Sequence, residues 1–149
     1  MRTIIYLIGT GLGSGYTPIA PGTAGSLLAV AILLIFPLHV YWWIFLIVAL
    51  FFAGVWVSTK IERERVKDPG IVVIDEIVGQ WLALLLLPPT LFYLVGGFLL
   101  FRFFDIVKPF PINRSQTLKE GWGIMIDDVL AGIYANLILQ IIHRSGIWS

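Results

Sequence analysis

The chain contains no cysteine, which removes disulfides, thiolate metal sites and any phosphate chemistry passing through a cysteinyl intermediate. Charge is scarce too: Asp, Glu, Lys and Arg make up 13% of 149 residues, against roughly 25% in soluble domains. Of the two histidines, His39 lies between apolar runs and His143 follows the last one. Both read as loop or interfacial residues remote from the acids, which disfavours phosphohistidine chemistry. A formal net charge of +1 gives no field to recruit nucleic acid, and no basic stripe with interleaved aromatics is present. Nucleotide binding is rejected on another ground. The run GTGLGSG at 9–15 has Ser14 breaking GxGxxG, no GK[ST] after it and no βαβ context, so it reads as close backbone packing.

What fills the chain is apolar: 58% of residues are hydrophobic and the mean hydropathy is +0.93. No Asp, Glu, Lys or Arg occurs between Arg2 and Lys60, between Glu76 and Arg102, or between Asp128 and Arg144. A bilayer core of ~30 Å needs about 20 helical residues, so 41–59 and 125–143 are comfortable spans. Pro37 closes a shorter run, and Pro88 and Pro89 separate two more, since proline interrupts a helix. The expectation is an all-α, polytopic transmembrane bundle in one membrane-embedded domain, 1–149. Its helices lie near 24–36, 40–59, 73–87, 90–107 and 122–143, as two hairpins and a final helix. Whether 24–36 crosses fully or re-enters stays open. The segment Ile4–Ile8 is too short for a signal peptide and is read as retained.

On this topology Arg2, Lys60, Arg63, Arg65, Lys67, Lys108, Arg114 and Lys119 share one side, eight of the ten basic residues, and only Arg144 lies opposite. The positive-inside rule makes the crowded side cytoplasmic. The stretch KIERERVKDP at 60–69 continues the second helix into water, with i,i+4 support from Lys60 and Glu64.

The acids gather at that same face. Asp75 and Glu76 open the third helix, Asp105 closes the fourth, and Asp127 and Asp128 open the fifth. The helix dipole alone favours an acid at an N-terminus by ~0.3–1 kcal/mol, which is a sufficient structural reason for any one pair. Five carboxylates converging in a partly dehydrated region repel one another unless a cation compensates, and oxygen-only ligands favour Mg²⁺ over zinc. Arg102, Asp105 and Lys108 recur at i,i+3 on one face. Arg102 offers a bidentate fork and Lys108 a point charge for phosphate oxygens, although Arg102 and Asp105 equally suit an intrahelical ion pair. Thr23, in PIAPGTAGS at 18–26, stands before an apolar helix where a hydroxyl cap and exposed amides form an anion site.

The motifs PGTAGS at 21–26, DEIVGQ at 75–80, FRFFDIVKPFPI at 101–112 and GIMIDDVLAG at 123–132 together resemble the phosphatidylglycerophosphatase A family, from about Gly9 to Gly132. The resemblance implies Mg²⁺-dependent hydrolysis of phosphatidylglycerophosphate to phosphatidylglycerol and inorganic phosphate, a step in bacterial phospholipid synthesis, by a multi-pass enzyme of the bacterial cytoplasmic membrane acting at its cytoplasmic face. The anionic phospholipid headgroup would meet Arg102, Lys108 and Arg114, with Thr23 beside them. Mg²⁺ would be held among Asp75, Glu76, Asp127 and Asp128, and Asp105 would be a further ligand or general base, so Glu76, Asp105, Asp127 and Asp128 are the catalytic candidates. An ion-coupled transporter would place acids at mid-span rather than at helix ends. A lipid headgroup transferase of the CDP-alcohol type would show a spaced aspartate series that DDVLAG lacks.

Overall fold

Proline and glycine decide where the helices stop and how near they come. The computed structural model describes residues 1–65 and 69–146, and among these every regular element is helical. In chain order they are α1 (Arg2–Gly9), a 3₁₀ turn (Ser14–Tyr16), α2 (Pro21–Ile35), α3 (Val40–Glu64), α4 (Ile74–Leu84), α5 (Leu91–Val107), α6 (Ile112–Ser115) and α7 (Gly121–Arg144). Lys67, counted in the charge asymmetry, lies outside the described residues.

The expected helices are present, with shifted ends. α2 begins at Pro21 rather than at residue 24, because proline's fixed φ suits the first helical position. α4 stops at Leu84 rather than running to 87, because Leu86 adopts a left-handed φ of 62° and two prolines follow. α3 runs on to Glu64, so the polar extension forms. Its expected Lys60–Glu64 pairing gives way to another: Glu64 accepts from Arg2 Nε at 3.2 Å and from the Tyr6 hydroxyl at 3.0 Å. Those partners sit on α1, a short helix absent from the expected five, which docks by bringing Gly9 against Val57 and Ile61 of α3.

Among the described residues only α3 and α7 are long and apolar enough to cross a membrane by themselves, so the five-span bundle is narrowed to two such helices in an all-α fold. At 1.5 Å per residue, α3 and α7 measure about 37 and 36 Å, while α4 measures only about 16 Å. Away from the polar end of α3, the outward faces of α3 and α5 are largely apolar. Trp42, Phe45, Phe52 and Trp56 of α3 are exposed, as are Leu91, Val95, Leu99 and Phe103 on α5, spaced i,i+4 as one stripe.

Inside, small residues let helices approach as membrane packing favours. A Cβ on Gly79 would meet the Asp128 carbonyl, and one on Gly132 the Gly79 carbonyl, so α4 and α7 touch backbone to backbone. Gly15 likewise lies against the Ile71 carbonyl, and the Val73 amide donates to the Gly9 carbonyl at 2.9 Å, which is the close packing expected of the glycine-rich start. The irregular chain after α4 is closed by amides from α7. Asn136 Nδ2 donates to the carbonyls of Ala83 and Leu85 at 3.1 and 2.8 Å, and Gln140 Nε2 to that of Leu85 at 3.2 Å. Interrupted backbone is thereby satisfied away from water.

Candidate active site

The short α4 and the glycine contacts around it draw the acids together. Asp75 and Glu76 occupy its first turn, and Asp128, seven residues after Gly121, lies about 10 Å along α7. One oxygen from each of Asp75, Glu76 and Asp128 fits within a group whose members all lie within 4.8 Å of one another. Asp75 and Asp128 are buried and Glu76 is partly so. Asp75 Oδ1, Glu76 Oε2 and Asp128 Oδ2 are enclosed yet have no hydrogen-bond partner among the described residues. Three carboxyl groups gathered so closely, each with an unsatisfied buried oxygen, match the oxygen donor set of a hard divalent cation.

Asp127 does not join that trio. Successive helical residues point about 100° apart, and Asp127 is turned to Lys108, whose Nζ donates to its Oδ2 at 2.5 Å, with Gln116 Nε2 at 3.5 Å from the same oxygen. Lys108 also donates to Asp105 Oδ1 at 3.3 Å, and Arg102 Nη1 to Asp105 Oδ2 at 2.5 Å. Arg102 in turn lies 4.0 Å from Glu76 Oε1. A continuous relay therefore runs Glu76, Arg102, Asp105, Lys108, Asp127, with both oxygens of Asp105 engaged. Burial alone would lower the Lys108 pKa, but the carboxylates of Asp127, Asp128 and Asp105 outweigh it and hold the ammonium above its ordinary value. It thus stays charged at any pH of interest. Lys108 also ends α5 with φ 47° and ψ 60°, a left-handed conformation in which glycine is usual. That strained backbone is held where the side chain meets two acids.

The start of α2 closes the other side. A Cβ on Gly22 would meet Glu76 Oε1 and the Arg102 guanidinium, and one on Gly25 would meet Val73. The start of α2 therefore lies against the cluster, and a helix N-terminus with its unpaired N–H groups favours an anion. Thr23 is the third residue of α2 and not its cap; the N-cap is Ala20 and no side chain caps it. Arg114 stands apart, exposed, with its guanidinium 5.2 Å from the Phe110 ring centroid.

Three polar residues at or near the site carried no assignment in the sequence. Gln80 is one helical turn beyond Glu76, fully buried, with neither amide atom partnered among the described residues; its place in DEIVGQ was the available signal. Gln116 reaches Asp127 from a loop without pattern. Glu62 looked like one of several solvated charges on the end of α3, yet its Oε2 is buried and unpartnered among the described residues.

The model of the family described as "Phosphatidylglycerophosphatase A" matches residues 7–143. A protein of Haemophilus influenzae named phosphatidylglycerophosphatase A is 40% identical over 140 residues, covering 91% of this chain and 86% of that one. An Escherichia coli protein of the same name is 34% identical over 144 residues, covering 92% and 82%. A protein of Bacteroides thetaiotaomicron named putative phosphatidylinositol-3-phosphatase is 44% identical over 144 residues, covering 91% of each chain. No solved structure matches.

Proposed function

The chain belongs to the phosphatidylglycerophosphatase A family, and from that premise we propose that it hydrolyses phosphatidylglycerophosphate to phosphatidylglycerol and inorganic phosphate. The observation that carries the site assignment is the set of three unpartnered carboxylate oxygens on Asp75, Glu76 and Asp128 beside the cations Arg102 and Lys108. Those acids would hold Mg²⁺. When bound, the ion supplies charge neutralisation at the phosphoryl group and a water of lowered pKa. Arg102 and Lys108 bind the phosphoryl oxygens, and the first-turn amides of α2 at Gly22 and Thr23 close over them. Water oxygen bonds to phosphorus as the bond to the glycerol oxygen breaks. The water proton passes to a carboxylate of the trio, which gives it to the departing oxygen to leave a hydroxyl. Asp105, with both oxygens on cations, orients Arg102 and Lys108.

In this reading α2, α4 and α5 lie in the membrane with α3 and α7, because the outward faces of α2 and α5 are apolar, with Leu27, Leu34, Leu91 and Leu99 exposed, and α4 is enclosed among the other helices. The site then faces the cytoplasm, supported by the clustering of basic residues at that end. The natural absence of cysteine makes this testable. Single cysteines at Arg65 and Arg114 should resist an impermeant thiol reagent in intact cells, and labelling from outside would overturn the sidedness.

The activity is tested with purified protein in mixed micelles containing phosphatidylglycerophosphate, phosphatidic acid or phosphatidylinositol 3-phosphate. Phosphate release should be abolished by chelator and restored by Mg²⁺. Full turnover in excess chelator would sink the metal reading, and inactivity on phosphatidylglycerophosphate would sink the substrate. The inositol lipid is included because the 44%-identical Bacteroides relative carries that name.

A further inference from the structure

A cleft of about 290 Å³ opens between the end of α3 and the start of α7, walled by Glu62, Gln116, Glu120, Gly123, Ile124 and Asp127. It meets the site at Asp127, which accepts from Lys108 Nζ. No Lys or Arg lines it among the described residues, since Arg63 is drawn to Glu120 at 2.8 Å and Lys108 lies across Asp127. An anionic phosphoryl group is therefore ill suited to this space, whereas hydroxyl groups, as donors to carboxylate oxygens, suit it well. Glu62 walls this cleft, and its Oε2 is enclosed without a partner among the described residues, a state that costs free energy unless the side chain turns to meet a ligand or water. Gln116, at a marginal 3.5 Å from Asp127, has an amide able to turn toward the oxygen of the same hydroxyl. At the ~30 Å³ one water takes up in the liquid, the cleft corresponds to about ten waters, ample for glycerol and enough for a six-membered polyol ring.

We propose that this cleft is the polyol subsite of the enzyme, in which Glu62 and Gln116 bind the central headgroup hydroxyl between the lipid and the phosphate that is removed. The inference rests on the hydrolase reading above and adds to it the residues that select the headgroup. Lys108 and Gln116 both reach Asp127 Oδ2, so hydroxyl binding by Glu62 and Gln116 adjoins phosphoryl binding by Arg102 and Lys108.

The test compares phosphatidylglycerophosphate with its analogue containing 1,3-propanediol in place of glycerol, which lacks the central hydroxyl. The unaltered protein should favour the natural lipid by about tenfold or more in kcat/KM, as expected for a hydrogen bond to a charged group. Glu62→Ala and Gln116→Ala should each bring that ratio toward one, and Glu62→Gln, which keeps an acceptor, should recover part of it. A ratio unchanged in all three variants overturns the proposal, as does an unaltered protein that accepts both lipids equally while hydrolysing them well. An acid-lined cleft could instead hold a hydrated cation. In that case Glu62→Ala shifts the Mg²⁺ concentration dependence and leaves the ratio intact, which also overturns it. Should phosphatidylinositol 3-phosphate prove to be the substrate, the glycerol reading fails while the subsite is judged by the same ratio, measured between that lipid and its 2-deoxy analogue. Turnover of phosphatidic acid alone would defeat the subsite.

Discussion

The two ends of the helix bundle treat interrupted structure in opposite ways. Where α4 breaks off, the freed carbonyls of Ala83 and Leu85 receive neutral amides from Asn136 and Gln140, and the Tyr93 hydroxyl lies 2.9 Å from His143 Nδ1. Where α4 begins, acids are crowded together and three of their oxygens find no partner among the described residues. A fold able to satisfy broken backbone at one end leaves carboxylates unsatisfied at the other. The first end holds the structure together, and the second keeps its binding capacity for a ligand.

Substitutions at the two ends sharpen this contrast. Asp128→Asn removes a member of the trio and should lower kcat by at least about 10²-fold, while the thermal midpoint in detergent holds or rises because a like charge is gone from a buried group. Unchanged turnover would break the comparison outright. Asp105→Asn frees Arg102 and Lys108 from their shared acceptor. A loss of about tenfold or more in kcat/KM is expected, against the slight change due to an exposed ion pair, and steady-state kinetics on folded protein decides it.

Gly79→Ala tests the approach of α4 to α7. The added methyl would meet the Asp128 carbonyl and the Phe101 ring, so the helices must part at a cost of about 1–3 kcal/mol. Activity and thermal midpoint should fall together; a normal midpoint would show that the contact yields freely. At the opposite end Asn136→Ala should cost about 1 kcal/mol of stability with kcat near normal, and a selective loss of kcat there would contradict the division of labour. Smallest of all, Arg2→Ala removes an exposed pair with Glu64 and should shift stability by no more than about 0.5 kcal/mol.

Much of the site was legible because its residues recur at helical spacing. Arg102, Asp105 and Lys108 at i,i+3 do share a face, and the charge-free runs do mark helices. The same reasoning does not separate Asp127 from Asp128. Adjacency in sequence suggested a pair of ligands, whereas helical rotation sends one acid to the trio and the other to Lys108. α1 was missed because eight residues carry too little periodicity to read, and its docking depends on Gly9 meeting α3 some fifty residues later. Gln116 and Glu62 were invisible for a related reason: each takes its meaning from a cleft formed between distant segments, and neither belongs to a patterned stretch. Thr23 was read as a cap because the helix start was placed three residues late.

With α5 placed in the membrane as proposed above, its stripe of Leu91, Val95, Leu99 and Phe103 carries a kinetic consequence. A protein anchored by such a face meets its substrate by lateral diffusion, so the concentration that governs its rate is a mole fraction in the plane of the lipid and not an amount per volume. Adding inert phospholipid at constant total substrate should slow turnover in proportion to the dilution of the surface, and adding buffer at constant surface composition should leave turnover per enzyme unchanged.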